Sequence, residues 1–213
     1  MAINEHQDLG SGMRVAMRDL EIRGAGSLLG AEQSGNMSAV GFDLFAQMIA
    51  TAVNEAREGA GDGSDVLPRA LSDIIVNIPA HAYLPDDYIP NADERVTLYR
   101  QIAHAAEVAE VDRLEQAVGE AHANMPPEAR NLFMKARLRA QANTGGVRMV
   151  SLVAGRLVIE PVRKPEGDLW ASLRQARARY ISASSKLQVP VAYFGIDEDG
   201  NMLEAAYDFL TKI

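Results

Sequence analysis

Residues 147–162 read VRMVSLVAGRLVIEPV and predict a β-hairpin. Two segments rich in apolar and β-branched residues meet at Ala154, Gly155 and Arg156. A short break with glycine between two such segments is typical of a tight turn between antiparallel strands. The chain therefore contains at least part of a β-sheet.

Two further stretches predict strands of the same sheet. Residues 70–82 form an apolar run with β-branched residues that ends at Pro79. Residues 180–194 predict one or two more strands, and Pro190 marks an edge or a bend there because proline cannot donate a ladder hydrogen bond. We expect a small, mainly antiparallel sheet.

Helical patterns lie on both sides of the hairpin. Apolar residues recur at three and four residues in each pattern, as expected for one buried face. Asn91 or Asp93 is the expected N-cap of the first helix, and Asp168 that of the fourth. The predicted fold class is therefore α+β. The expected helices span residues 91–107, 110–123, 128–142, 168–178 and 202–212.

Residues 19–35, DLEIRGAGSLLGAEQSG, predict a sharply bent loop, or hook. Each glycine inside a helix costs about 1 kcal/mol relative to alanine, so four in this stretch argue against a helix. Residues 2–9 and 13–22 before it predict a helical hairpin, and residues 40–56 after it predict an amphipathic helix. The four hook glycines are Gly24, Gly26, Gly30 and Gly35.

The hook displays Arg23 and Gln33. The arginine guanidinium can clamp a carboxylate, a phosphate or carbonyl groups, and the glutamine amide both donates and accepts hydrogen bonds. From spacing alone, the simpler interpretation is structural: Arg23 pins the hook to Glu21 or Glu32, and Gln33 caps a turn.

A change in composition predicts a domain boundary. The glycine-rich stretch REGAGDGSD begins at residue 57 and lacks apolar periodicity, which is typical of a flexible linker. We expect residues 1–56 to contain the hairpin, the hook and its connecting helix, residues 57–66 to be the linker, and residues 67–213 to form an α+β domain.

Composition restricts the possible functions. The formal net charge of -8 argues against a general nucleic-acid-binding surface, so any DNA contact should be local. The chain contains no cysteine, and its four histidines lack metal-ligand spacing, so we expect no metal site. With no apolar run of membrane-spanning length in the sequence, a cytoplasmic location and no membrane contact are expected.

Motifs for catalysis are also absent from the sequence, which has neither a GxxxxGK[ST] loop nor a GxSxG elbow. We therefore expect no catalytic residue and no bound cofactor in this chain. The adjacent residues Asp86 and Asp87 are typical of a turn or a helix cap, and we prefer this interpretation to a metal-binding pair or an acid/base pair. The turn at residues 197–200 lacks the continuation of a calcium loop.

The helix at residues 128–142 carries a basic face. The simpler interpretation of this basic face is a surface exposed to solvent. The alternative interpretation is a binding site for an acidic partner. The four basic residues are Arg130, Lys135, Arg137 and Arg139.

The hook resembles the TRG element of double-stranded DNA translocases. Its sequence motif LEIRGAG…LLG…EQSG is most similar to that of the transcription-repair coupling factors. The resemblance continues through GFDLF at residues 41–45, NIPAHAYLPDDYIP at 77–90 and ERVTLYRQIA at 94–103. It fades from about residue 123, and the last thirty or so residues show no match.

The resemblance implies a C-terminal piece of a longer ATP-driven translocase that releases stalled RNA polymerase and recruits excision repair. ATP and magnesium would bind in motor lobes outside this chain. Arg23 and Gln33 would couple ATP hydrolysis to movement, with double-stranded DNA near the hook. The C-terminal domain would pack on the protein's own amino-terminal UvrB-like domain, restraining both the motor and UvrA binding.

Two alternatives to this family function remain at the level of sequence. The chain could be a freestanding adaptor whose acidic surface binds a basic protein and whose hook is only structural. It could also be a small-molecule enzyme that uses Asp86, Asp87 or Glu160, which requires a deep pocket with perturbed carboxylates.

Overall fold

The computed structural model describes residues 74–196 and 201–213. The predicted hairpin, hook, connecting helix and linker, and the turn at residues 197–200, lie outside these ranges. The predicted division into two domains therefore stays a prediction.

The described residues form five α-helices and a five-stranded sheet, which confirms the α+β class. Each helix and strand predicted within them is present, with ends that differ by a few residues. In chain order they are β1 (Ile75–Asn77), α1 (Ala92–His104), α2 (Val108–Ala121), α3 (Pro127–Thr144), β2 (Met149–Val153), β3 (Arg156–Glu160), α4 (Gly167–Gln175), β4 (Arg179–Ile181), β5 (Lys186–Pro190) and α5 (Met202–Leu210), with short 3₁₀ turns at Ser182–Ser184 and Val191–Phe194.

The sheet order is β1-β2-β3-β5-β4. β1 pairs with β2 in parallel, and the other three pairings are antiparallel, so the predicted mainly antiparallel sheet is confirmed. In the hairpin, Val153 pairs with Arg156 across a two-residue turn in which Ala154 and Gly155 both have positive φ. This conformation matches the right-handed twist of the flanking strands.

Two apolar cores share helix α3. One core joins the inner face of the sheet to α3, α4 and α5, and includes Leu138 and Leu173. The other joins α1, α2 and the segment before α1 to α3, and includes Phe133 and Ile102. We call the second unit the helical layer. Because α3 is buried from both sides, few of its residues reach solvent.

The predicted cap at Asp168 is wrong. Helix α4 begins at Gly167, and Glu166 has the extended backbone of an N-cap and accepts the Trp170 N–H at 3.3 Å. Asp168 lies in the first turn, where a carboxylate still interacts favourably with the helix dipole. Pro190 is the last residue of β5 and precedes a 3₁₀ turn, so the predicted bend is confirmed.

Candidate interaction surface

The helical layer begins with a segment that leads into α1. Asn91 is the N-cap, because its side-chain oxygen accepts the N–H groups of Asp93 at 3.0 Å and Glu94 at 3.3 Å. These bonds satisfy two of the four N–H groups that a helix leaves unpaired at its start. The sequence had offered Asn91 or Asp93 as the cap, and the structure selects Asn91.

The Glu110 carboxylate caps the start of α2. The Glu110 side chain accepts the backbone N–H of Ala106 at 2.8 Å and that of Glu107 at 3.3 Å. A glutamate at this position both pairs the free N–H groups and places negative charge at the positive end of the helix. The Glu110 carboxylate therefore stabilises the first turn of α2.

Two buried arginines hold the layer together through backbone carbonyls. The Arg95 guanidinium donates to the carbonyls of Ile89 at 2.7 Å and Pro90 at 3.2 Å. From α3, Arg139 donates to the carbonyls of Ile102 at 2.7 Å and Ala103 at 3.1 Å. Arg139 thus satisfies carbonyls that the last turn of α1 cannot pair internally.

Tyrosines fix the segment before α1. The Leu84 N–H donates to the buried Tyr99 hydroxyl at 2.7 Å, and burial raises the pKa of Tyr99. The Tyr88 hydroxyl donates to the carbonyl of His122 at 3.1 Å. The His122 Nε2 lies 2.8 Å from a carboxylate oxygen of Glu94, which joins α1 to the end of α2.

Helices α2 and α3 are joined by a charged cluster. The Arg137 guanidinium donates to Asp112 at 2.6 Å and also to Glu115. Burial alone would lower the pKa of Arg137, but the two carboxylates outweigh it and the pKa is raised. The arginine is therefore held in its charged form and fixes one side of α2.

The solvated basic face predicted for α3 is wrong. Lys135 and Arg139 have only 2% and 6% of their surface exposed, and Arg137 is paired with α2. Arg130 alone of the four is exposed. The physical reason is that α3 lies between two cores, so Arg139 meets backbone carbonyls and Arg137 meets carboxylates of its own chain.

The outer surface of the helical layer is acidic. Between residues 86 and 128 the chain has ten aspartates and glutamates against three arginines and no lysine. We define the acidic helical surface as the six exposed carboxylates of this segment. They are Asp86, Asp87, Asp93, Glu107, Asp112 and Glu120.

Asp86 and Asp87 lie in a turn, as predicted. Both are exposed, and the N–H groups of Tyr88 and Ile89 bond to the Pro85 carbonyl at 3.2 and 3.0 Å. Glu160 is far along the chain on β3, where it forms an ion pair with Lys186 at 2.7 Å. The structure therefore does not bring these three carboxylates into one catalytic group.

The hook residues Arg23, Gln33, Gly24, Gly26, Gly30 and Gly35 lie outside the described residues, so their roles stay predictions. In the ranges 74–196 and 201–213, no group of three or more histidine or acidic side chains is placed to hold a metal ion. Within the same part of the chain, no helix combines the length and the apolar character needed to cross a membrane.

The sequence patterns did not predict that Arg95 and Tyr99 form buried hydrogen bonds to the segment before α1. The available signal was the position of Arg95 on the same helix face as Tyr99 and Ile102, four and seven residues further along. A charged residue inside an apolar stripe indicates a buried polar contact.

Comparison with known protein families gives one match to a family model. Residues 78–169 match the TRCF domain. This range begins just after β1, includes the helical layer and the hairpin, and ends in α4.

Curated relatives align over most of the chain. The transcription-repair-coupling factor of Mycobacterium tuberculosis is 34% identical over 202 residues, which is 91% of this chain and 16% of the relative. That of Escherichia coli is 37% identical over 147 residues, 69% of this chain and 13% of the relative. That of Bacillus subtilis is 35% identical over 149 residues, 70% of this chain and 12% of the relative. The chain thus spans about a sixth or less of their length.

A solved structure, the crystal structure of the C-terminal domain of transcription-repair coupling factor, aligns with a TM-score of 0.49 and 14% identity. The alignment covers 66% of this chain and 92% of the other. The sequence matches carry the assignment: this chain belongs to the transcription-repair-coupling factor family, and residues 78–169 are its TRCF domain.

Proposed function

We propose that the described domain is a regulatory module of a transcription-repair coupling factor. In this proposal it docks on the amino-terminal, UvrB-like region of its own protein, and the docked state restrains both the DNA translocase motor and UvrA binding. The motor, with its ATP and magnesium, belongs to other parts of the parent protein, as does the contact with RNA polymerase. The described domain itself performs no catalysis.

The acidic helical surface is the observation that carries this proposal. The ten carboxylates against three arginines in residues 86–128 give this layer a strong negative potential. Such a surface favours a basic partner, because complementary potentials speed encounter and fix the docked orientation. The predicted partner surface on the amino-terminal region is therefore rich in lysine and arginine.

Rigidity of the same surface supports docking further. Arg137 fixes Asp112 and Glu115, and Glu110 is held by two backbone N–H groups. A surface whose side chains are already ordered loses less conformational entropy on binding. Among the six carboxylates of the acidic helical surface, Asp112 is held in place in this way.

For the hook we propose the role that the family resemblance implies. Arg23 and Gln33 would transmit the nucleotide state of the motor to its grip on double-stranded DNA. Four glycines in the same stretch support a bent backbone that brings these two side chains to one compact element. This part of the proposal rests on sequence alone.

Binding in trans tests the docking proposal. The 213-residue chain is titrated to high micromolar concentration with the isolated amino-terminal region of its parent, and binding is followed by calorimetry. We expect a complex that weakens as salt rises. Asp87→Lys together with Glu120→Lys should weaken it at least tenfold, because two exposed charges of the acidic helical surface are reversed.

A matched control changes the same number of charges on another helix. Glu204→Lys together with Asp208→Lys reverses two exposed carboxylates of α5, outside the acidic helical surface. This variant should bind as the unchanged chain does. No complex at high micromolar concentration, or equal loss in both variants, would contradict docking through this surface. Binding only to unrelated basic proteins would support the adaptor alternative.

A further inference from the structure

Part of the sheet half of the domain carries the opposite charge to the helical layer. Residues 147–190 contain eight lysines and arginines against three aspartates and glutamates, in a chain whose net charge is -8. Strands β2 to β5 and α4 therefore carry a local positive charge, whereas α5 on the same core carries the exposed carboxylates Glu204 and Asp208.

Four of these cations lie at one corner of the sheet, where α4 ends and β4 begins. We call Arg156, Arg174, Arg177 and Arg179 the arginine corner. The Arg177 N–H donates to the Arg174 carbonyl at 3.0 Å, and the Arg156 guanidinium donates to the Arg177 carbonyl at 3.2 Å. Arg179 begins the edge strand β4 two residues later. One backbone bond and one side-chain bond thus join Arg156, Arg174 and Arg177, and Arg179 follows in the chain.

Arg177 occupies a backbone position that normally belongs to glycine. Its φ is +62°, and the Ala178 N–H closes the end of α4 by donating to the Leu173 carbonyl at 2.9 Å. This is the left-handed end of a Schellman motif, where a side chain other than glycine adds about 1 kcal/mol of strain. Strained backbone positions of this kind are often found at functional sites.

The charges at this corner are not neutralised by described carboxylates. Arg174, Arg177 and Arg179 are exposed, and no ion pair joins them to any residue in the described ranges. The ion pair of the sheet, Lys186 with Glu160, lies at the other end of β3. Arg174 in the last turn of α4 interacts favourably with the helix dipole, and Arg156 donates to the Arg177 carbonyl, which leaves the charges of Arg177 and Arg179 without a structural role in the described ranges.

The surroundings favour a phosphate backbone over a protein partner. Two large apolar side chains are exposed near the corner: Ile181, 41% exposed, on β4, and Val153, 53% exposed, which pairs with Arg156. Two single apolar side chains do not form the apolar centre of an interface. A stable protein interface needs an apolar centre that excludes water, whereas contact with nucleic-acid phosphates is polar and rests on cations. An arginine guanidinium can donate two parallel hydrogen bonds to two oxygens of one phosphate group.

We propose that the arginine corner binds the phosphate backbone of double-stranded DNA, without reading its sequence. This site is separate from the predicted hook and from the acidic helical surface, and it does not rest on the docking proposal. The acidic layer confines binding to this corner, because phosphates approaching the helical half are repelled. The contact is therefore local and salt-dependent.

Fluorescence anisotropy of a labelled DNA duplex of about 20 base pairs, titrated with the 213-residue chain across a salt series, tests the proposal. We expect a Kd of about 10–100 µM and a slope of log K against log salt of about −3.6, since each neutralised phosphate contributes roughly −0.9. Failure to bind at 1 mM protein and low salt would overturn the proposal.

Charge reversal locates the contact. Arg174→Glu, Arg177→Glu and Arg179→Glu together should weaken binding more than tenfold and remove about 2.7 from the slope. The matched control reverses Arg100, Arg113 and Arg130 to glutamate, which gives the same net charge in the helical half. Equal losses in the two triple variants would overturn the assignment to the corner.

A single variant separates charge from folding. Arg177→Gly suits the left-handed backbone, so it should leave thermal stability unchanged or raised while weakening DNA binding two- to threefold. Unchanged DNA affinity would count against the corner. Poly-L-glutamate serves as the competitor and is compared with unlabelled duplex at equal charge concentration. Displacement of the labelled duplex by poly-L-glutamate at a lower charge concentration than unlabelled duplex requires would show a site for acidic polypeptides, which contradicts a phosphate site.

Discussion

Arg139 of α3 donates a hydrogen bond to the carbonyl oxygen of Ile102, 2.7 Å away at the end of α1. The arginine is buried and also reaches the Ala103 carbonyl at 3.1 Å. One side chain of α3 thus caps the carboxyl end of α1. Because α3 belongs to both cores, this contact links the helical layer to the sheet core.

Replacing Arg139 should therefore destabilise the domain. Arg139→Met keeps the aliphatic contacts but leaves buried carbonyls unpaired, and the free energy of unfolding should fall by about 2–3 kcal/mol. Urea denaturation of the full chain measures the change. Arg130→Met on the same helix replaces an exposed arginine and should change stability by less than about 0.5 kcal/mol. Equal effects of the two variants would refute the role of Arg139.

Tyr99 predicts a dependence of stability on alkaline pH. Burial raises the pKa of Tyr99 in the folded chain above its usual value of 10.0. The unfolded chain then releases this proton first, so the contribution of Tyr99 is complete below pH 10 and is lost as the pH rises through the folded pKa.

Tyr99→Phe should show this directly. At neutral pH it leaves the Leu84 N–H without its acceptor and should lower stability by about 1–2 kcal/mol. Between about pH 9 and 11 the loss of stability should be shallower in the variant than in the unchanged chain. Parallel curves of urea midpoint against pH for the two chains would refute this linkage.

The hairpin turn predicts one stabilising and one destabilising substitution. Ala154 and Gly155 have φ values of +48° and +71°. Asparagine adopts this conformation more readily than alanine, so Ala154→Asn should raise stability by about 0.5–1 kcal/mol. Gly155→Ala meets no steric contact but is strained, and should lower stability by about 1 kcal/mol. Thermal melts that rank the two variants in the opposite order would contradict this turn geometry.

The hook makes a prediction for the intact parent protein. If the proposed coupling role holds, Arg23→Ala and Gln33→Ala should each abolish or strongly reduce movement along DNA while ATP hydrolysis continues, because the proposal places the nucleotide site in other parts of the parent. Displacement of a triplex strand reports movement, and phosphate release reports hydrolysis. Unchanged movement with unchanged hydrolysis would make the hook purely structural.

Local patterns predicted most of the described fold. The hairpin was predicted correctly because its turn and its apolar strands depend on neighbours in sequence. The N-cap at Asn91 has the same local origin. Asp168 was misassigned because the N-cap of α4 is Glu166, two residues earlier, an error typical of element ends.

The environment of α3 could not be predicted in the same way. Lys135 and Arg139 have the pattern of a solvated basic face, yet both are buried. Their burial depends on α1, α2 and the sheet packing on α3 from two sides, which are contacts distant in sequence. The basic composition of residues 147–190 is visible in the sequence, but the assembly of the arginine corner required the pairing of β3, β4 and β5.

Truncation of the parent protein tests the central claim most directly. ATP hydrolysis and triplex displacement are compared for the full-length parent and for a form that ends after Asp65, which lacks the described domain. A domain that restrains the motor predicts faster hydrolysis and displacement in the truncated form. Unchanged rates in both assays would contradict a regulatory role for this domain.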